Sequence, residues 1–284
     1  MRSWLPLLAL LTAATLAPAA QVKFTARVES VRLDALVTRG GQPVLGLTAD
    51  DFEVRDNGAV QKVSLLGAGS LPLDVILALD VSSSLTPERF AILRGGTDAL
   101  LTALENDDRA ALATFSHDVV GRQALTSAFD LIRRTLEDAA PSGATSLIDA
   151  IYAAIAMAEP GDRRSLLIVF SDGIDTTSWL RPDAVLRAAQ RSEVVIYAVS
   201  TAGAKQMPQV LKEFTEASGG NVLEVESAGL SSAFVQILNE FRRRYLLSYS
   251  LQRSPSPGWH RLDVRVRQRG ATVKARPGYH VAAR

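Results

Sequence analysis

The amino-acid sequence predicts an α/β protein, with a mainly parallel sheet covered by helices on both faces over residues 71–243 and a β-sandwich-like unit built from the flanking segments. Three observations predict it. Continuous apolar runs such as Val75-Ile76-Leu77-Ala78-Leu79 and Leu166-Leu167-Ile168-Val169 read as strands buried on both faces, as parallel strands are. These runs alternate with amphipathic helical stretches, the pattern of βα repeats. Residues 21–70 and 244–284 instead hold short alternating segments between turn residues, as half-buried antiparallel strands do.

Residues 1–20 contain Arg2 as their sole charge, a hydrophobic run at 4–16 and the small-residue segment Ala17-Pro18-Ala19-Ala20. That is the pattern of a secretory signal peptide with an Ala-x-Ala cleavage site, too short and wrongly flanked for a membrane span. No later stretch approaches the run of about 18 apolar residues that a spanning helix needs. The expectation is a soluble exported protein, secreted or held in the periplasm or cell envelope, with no transmembrane segment once the leader is removed. The chain has no cysteine, so stability must come from a packed core rather than from disulfides, although export would permit them. Hydrophobic residues make up 47% and charged residues 21% of the sequence, ordinary values for a globular protein.

Residues 22–37 include Phe24-Thr25-Ala26-Arg27-Val28 and Val31-Arg32-Leu33-Asp34-Ala35-Leu36-Val37, both alternating. Gly40-Gly41 marks a turn, Asp51-Phe52-Glu53-Val54-Arg55 a short strand, and Asp56-Asn57-Gly58 a turn into a strand at 59–63. Four short strands leave unpaired edges that a folded protein has to cover. The C-terminal segment has the same character, with Tyr245-Leu246-Leu247-Ser248-Tyr249-Ser250, a Pro255-Ser256-Pro257-Gly258 turn, and strands at 261–266 and 271–273. The expected organisation is therefore a leader at 1–20, an N-terminal β segment at 21–70, the α/β domain at 71–243, and a C-terminal β segment at 244–284 that pairs with 21–70.

Within the α/β domain, Pro87 starts a helix running to about 105, which Gly95-Gly96 is expected to interrupt. Strand 110–115 follows, then a short antiparallel edge strand at 119–125 and a helix at 130–139. Leu147, Ile148, Ile151 and Ile155 recur at helical spacing and give the next helix its apolar face. A helix at 182–191, a strand at 194–199, a helix around 212–217, a strand at 221–226 and a final helix over about 230–244 complete the order.

The chemistry is concentrated at two strand ends and one helix start. Asp80-Val81-Ser82-Ser83-Ser84 closes the first buried strand, and in α/β folds ligands bind at that carboxyl edge of the sheet. One carboxylate and two hydroxyls at alternate positions form a hard-oxygen set suited to Mg²⁺. Ser142-Gly143-Ala144-Thr145-Ser146-Leu147 opens a helix and Phe170-Ser171-Asp172-Gly173 ends a second buried strand, each adding an oxygen ligand beside a glycine. Asp-x-Ser-x-Ser, then a loop threonine, then an aspartate after a strand, in that order, resembles the von Willebrand factor A family and its metal-ion-dependent adhesion site. All five positions match. The Val44-Leu45-Gly46-Leu47 and Asp51-Phe52 segments before the domain, with Tyr245, Tyr249-Ser250 and Arg276-Pro277-Gly278-Tyr279 after it, are similar to the secreted bacterial VWFA-related proteins.

The resemblance implies a six-stranded Rossmann-like sheet and a bound Mg²⁺, with Mn²⁺ or Ca²⁺ as alternatives. Ser82 and Ser84 would bind the metal directly, Thr145 directly or through water, and Asp80 and Asp172 mainly through water. It also implies that a protein partner's Asp or Glu carboxylate completes the shell, and that the last helix can move along the sheet as a switch. Leu85, Asp175 and Trp179 are expected to rim the metal.

Other chemistries find little support. His117, His260 and His280 lack metal-ligand spacing, and Gly-x-Ser-x-Gly, His-Glu-x-x-His and phosphate-loop motifs do not occur. No enzyme activity is expected. From residue 240 onward eleven Lys/Arg face two Asp/Glu, but the alternation Arg261-Leu262-Asp263-Val264-Arg265-Val266-Arg267 reads as a solvated strand face. No nucleic-acid partner is expected. The expected function is an exported, metal-dependent protein-binding module, the alternative being an envelope scaffold whose metal only ties loops together.

Overall fold

The computed structural model describes residues 30–68, 71–171, 174–201, 209–251 and 256–281; the expected leader, the alternating segment at 24–28 and Asp172 lie outside the described residues. The first flank forms β1 (Ser30–Arg39), β2 (Gln42–Pro43), β3 (Phe52–Asp56), β4 (Ala59–Gln61) and β5 (Val63–Ala68). The middle follows as β6 (Leu73–Asp80), α1 (Pro87–Thr102), β7 (Arg109–Phe115), β8 (Val119–Thr126), α2 (Phe129–Glu137) and α3 (Leu147–Ala156). It continues with β9 (Arg164–Ser171), α4 (Pro182–Arg191), β10 (Val195–Ser200), α5 (Gln209–Ser218), β11 (Val222–Glu224) and α6 (Leu230–Arg242). The last flank gives β12 (Tyr245–Ser250), β13 (Gly258–Val266), β14 (Ala271–Lys274) and β15 (Gly278–Val281).

All eight residues of β6 are buried, and alternation explains why an unbroken apolar run is needed there. Leu73, Val75, Leu77 and Leu79 face a core shared with α1, α2 and α6. Ile76 and Ala78 face the opposite core, with α3, α4 and α5. The sheet runs β11-β10-β9-β6-β7-β8 and is mixed: β8 lies antiparallel to β7, whereas the other neighbours are parallel. Asp80 and Ser171 thus emerge side by side at one edge, because Leu79 pairs in register with Phe170.

Helix α1 begins where Thr86 Oγ1 accepts the Arg89 amide hydrogen at 3.3 Å and Pro87 takes the first helical position. Contrary to expectation, Gly95-Gly96 does not interrupt it. The glycine serves packing: a Cβ on Gly96 would lie 3.3 Å from Leu230 Cγ, where α6 crosses α1.

In the flanks, strands from both ends of the chain hydrogen-bond to one another. One sheet runs β14-β1-β12-β5 with β2 on β1, the other β15-β13-β3-β4. Strand β12 is antiparallel to both β1 and β5, with Leu33 opposite Leu247. Val31, Leu33 and Leu247 from the first sheet share one apolar cluster with Phe52, Val54, Leu262 and Tyr279 from the second. Within it, the buried Asp56 carboxylate accepts hydrogen bonds from the hydroxyls of Tyr249 and Tyr279, each at 2.8 Å, and lies 2.9 Å from His260 Nδ1.

Buried ions join the flanks to the mixed sheet. Arg164, at the start of β9, pairs with Asp34 of β1 and donates to the Phe241 carbonyl at 2.9 Å. Arg244 donates to Tyr197 Oη at 2.8 Å and to the Gly219 carbonyl at 2.7 Å. Gly219 (φ +81°) has no room for a side chain, since its Cβ would fall 2.5 Å from the Arg276 nitrogen.

Candidate metal centre

Three loops meet at the carboxyl edge of the mixed sheet, and direct hydrogen bonds hold each to its neighbours. In the first loop, Asp80 turns back on its own backbone so that Oδ1 accepts the Ser82 amide hydrogen at 2.9 Å. Its other oxygen, Oδ2, accepts from Ser171 Oγ at 2.7 Å. Asp80 and Ser82 are each 1% exposed, so both are held against the sheet edge. Ser84 is exposed, and its hydroxyl lies 2.9 Å from that of Ser82.

The second loop is stitched to the first by two backbone bonds, Ser142 N–H to the Val81 carbonyl at 2.9 Å and Ser83 N–H to the Gly143 carbonyl at 3.0 Å. Gly143 adopts φ +76°, the left-handed region that favours glycine, and a Cβ there would sit 2.5 Å from Nδ1 of the exposed His117 ring, which would have to move aside. Ser146 donates through its amide and its hydroxyl to the Ser116 carbonyl, each at 2.7 Å, which seats the start of α3 against the end of β7. Thr145 is thereby buried to 6% exposure between the other two loops.

The third loop leaves β9 at Ser171 and comes back over the first turn of α3. The Thr145 carbonyl accepts the Thr176 amide hydrogen at 2.8 Å, and Thr145 N–H donates to Thr176 Oγ1 at 3.0 Å. Ser178 Oγ accepts from the amides of Ile148 and Asp149 at 3.1 and 3.2 Å, and Asp175 Oδ1 accepts from Ile148 N–H at 3.2 Å. These satisfy amides that the first turn of a helix leaves unpaired. In return, the Asp149 carboxylate accepts from the amides of Trp179 and Leu180 at 2.9 and 2.8 Å.

The four described positions of the five-residue motif, Asp80, Ser82, Ser84 and Thr145, therefore belong to loops in direct contact; Asp172 lies outside the described residues. Leu85, expected on the rim, is instead 3% exposed and packs in the core beneath α1. An apolar side chain at a loop end gains more from burial than from a place beside a hard cation. Asp175 spends its carboxylate on the start of α3, and Trp179 is 93% exposed. Ser171, Thr176, Ser178 and Asp149 were not singled out from the sequence. Aligning the ends of the two buried strands points to Ser171, whereas the other three depend on how the third loop folds.

The donor set fits a hard divalent cation. The Ser82 and Ser84 hydroxyls are hydrogen-bonded to each other at 2.9 Å, which is also about the edge of an octahedral Mg²⁺ shell with bonds of about 2.0–2.1 Å, so both oxygens already stand where two adjacent ligands would. Among the described residues no cluster of three or more His, Cys, Asp or Glu side chains forms an alternative centre.

No curated protein matches the chain in sequence. Among solved structures, proximal thread matrix protein 1 from the mussel byssus, in a form with a zinc-occupied MIDAS motif, is similar with a TM-score of 0.57 and 15% identity. That likeness covers 67% of this chain and 50% of the other. An aerotolerance-related membrane protein from Bacteroides fragilis is similar with a TM-score of 0.50 and 17% identity, over 60% of this chain and 98% of its own. At such identities the likeness is one of fold. Residues 74–237, more than half of the sequence, match the von Willebrand factor type A domain, and the chain belongs to that family.

Proposed function

We propose that this protein is an exported binding module that holds a divalent cation, Mg²⁺ in the first place, through Asp80, Ser82, Ser84, Thr145 and Asp172, and uses it to capture an acidic group of a protein partner. The observation that carries the reading is the convergence of three loops that place the hydrogen-bonded Ser82 and Ser84 hydroxyls beside a carboxylate oriented through both oxygens and the buried Thr145. The bound cation would supply a Lewis-acidic position for a carboxylate. The chain's own part is to orient the oxygens. Ser82 N–H and Ser171 Oγ keep Asp80 in place, and Thr176 keeps Thr145 in place. Direct ligation mainly by neutral hydroxyls leaves a cation more of its charge for an incoming anion.

The alternative, a scaffold in which the metal only ties the loops together, is less well supported. The loops are already joined by the Val81–Ser142, Ser83–Gly143, Thr145–Thr176 and Asp80–Ser171 hydrogen bonds, so a tie would be redundant. We further propose that the two flanking sheets form one sandwich-like unit on the domain at 71–243, and that residues 1–20 direct export to the periplasm, the envelope or the exterior. No catalysis is proposed. The zinc-occupied MIDAS of the mussel protein supports a divalent cation in this fold.

Calorimetric titration with Mg²⁺ and Mn²⁺, alongside thermal melting, tests the reading with wild type, Ser84→Ala and Thr145→Ala. Wild type is expected to bind and to melt higher with metal, as any ligand of the native state requires, and both variants are expected to lose the effect. Equal metal binding by all three proteins would refute the proposed ligand set.

A further inference from the structure

We infer that the partner segment is an extended acidic peptide or exposed loop carrying a large apolar side chain within about three residues of its captured carboxylate, and that Trp179 is the surface on which this side chain docks. The inference rests on the metal-capture reading above. Trp179 is 93% exposed and Ile174, on the same loop, 59%. An indole left in water forgoes burial of roughly 150–250 Å², and tryptophan is among the residue types most enriched at binding hot spots.

The indole is presented on a fixed backbone. Trp179 N–H donates to Asp149 at 2.9 Å and Leu180 N–H to the same carboxylate at 2.8 Å. Asp149 lies in the first turn of α3, four residues after Thr145. The carbonyl of Thr145 accepts from Thr176 at 2.8 Å, three residues before Trp179. Three residues of chain separate Trp179 from the Thr176 amide that meets the Thr145 carbonyl, so the Trp179 backbone lies no more than about 14 Å from Thr145. An extended segment advances about 3.3 Å per residue, so three positions from a carboxylate at the Ser82, Ser84 and Thr145 loops span about 10 Å of backbone, and the length of a large side chain carries the contact on to the indole. An apolar contact at that place also excludes water from the ion pair and strengthens it.

The test is selection of random peptides displayed on phage against the immobilised protein in Mg²⁺, with elution by EDTA. The eluted peptides are expected to share an Asp or Glu with Trp, Phe, Leu or Ile within three positions. The synthesised consensus peptide is expected to bind Trp179→Ser at least tenfold more weakly than wild type and Trp179→Phe within about threefold of it, while calorimetric Mg²⁺ binding is equal in all three. Acidic peptides without an apolar neighbour, or equal peptide binding by Trp179→Ser, would overturn the inference and leave metal capture standing. If EDTA elutes no peptide, metal capture fails and the inference with it. Trp179-dependent binding to anionic lipid vesicles without any peptide consensus would assign the surface to membranes and overturn it as well.

Discussion

Ser171 Oγ donates a 2.7 Å hydrogen bond to Asp80 Oδ2, linking the ends of two neighbouring parallel strands across 91 residues of chain. The bond fixes which way the carboxylate faces, because Asp80 Oδ1 is engaged by the Ser82 amide. Partners that orient a metal ligand commonly change metal affinity by tenfold or more when removed. Ser171→Ala is expected to weaken Mg²⁺ binding about tenfold in calorimetry, and Ser171→Thr, which keeps the hydroxyl, to restore most of it. Unchanged affinity in the alanine variant would show that Asp80 orients itself.

Gly143 carries the second loop over His117. Its φ of +76° disfavours any side chain, and a Cβ would overlap His117 Nδ1 at 2.5 Å. Gly143→Ala is expected to destabilise the protein by roughly 1–3 kcal/mol, read as a lower urea midpoint. Adding His117→Ala removes the overlap but not the backbone strain, so recovery should be partial. Full recovery would mean that the left-handed conformation itself costs nothing here.

Arg164 and Asp34 form a buried pair between the mixed sheet and the flanking strands, and the same guanidinium lies 4.5 Å from the Phe241 ring centroid while donating to that residue's carbonyl. Leaving one member of such a pair alone typically costs about 3–5 kcal/mol. Arg164→Met should lower stability by that order in urea unfolding, and Arg164→Met with Asp34→Leu should lower it less. The same contacts tie down the end of α6, together with Arg242 on Asp108 and Arg244 on Tyr197. The helix sliding implied by the family resemblance would have to break them all. Hydrogen exchange of amides 238–242 is therefore expected to be the same with and without Mg²⁺, and a metal-dependent loss of protection would demonstrate the slide.

Tyr249 and Tyr279 share Asp56 as acceptor, and burial followed by these hydrogen bonds pushes both phenols well above the ordinary tyrosine value. A pKa raised in the folded state contributes stability that is complete below the unfolded value, near 10, and is lost as pH rises beyond it. The melting temperature should hold up to about pH 9.5 and then fall, and Tyr249→Phe should fall less steeply over the same range. Parallel slopes for the two proteins would show that alkaline unfolding begins elsewhere.

The alternation of apolar runs and amphipathic stretches is a local signal, and so is a ligand motif confined to five consecutive residues. For that reason the strand and helix order and the placing of Asp80, Ser82 and Ser84 at a strand end were legible before any coordinates, whereas Thr145 was reached only through the order of motifs along the chain. Gly95-Gly96 misled because glycine weakens a helix on propensity grounds, whereas here the absence of a side chain lets Leu230 approach. Leu85 misled because adjacency to Ser84 in sequence says nothing about which way a side chain turns at the start of a helix.

The sequence by itself determined the α/β order of strands and helices and the strand end at which Asp80, Ser82 and Ser84 lie, since each follows from residue type and short-range spacing. Only the tertiary structure decided that Ser171 orients Asp80, that Asp149 presents Trp179, and that the buried Arg164 and Arg244, with the half-buried Arg242, pin α6 to its surroundings. Each of these contacts joins residues about thirty or more positions apart, and their meeting depends on strand register and loop closure. No periodicity along the chain encodes such a meeting.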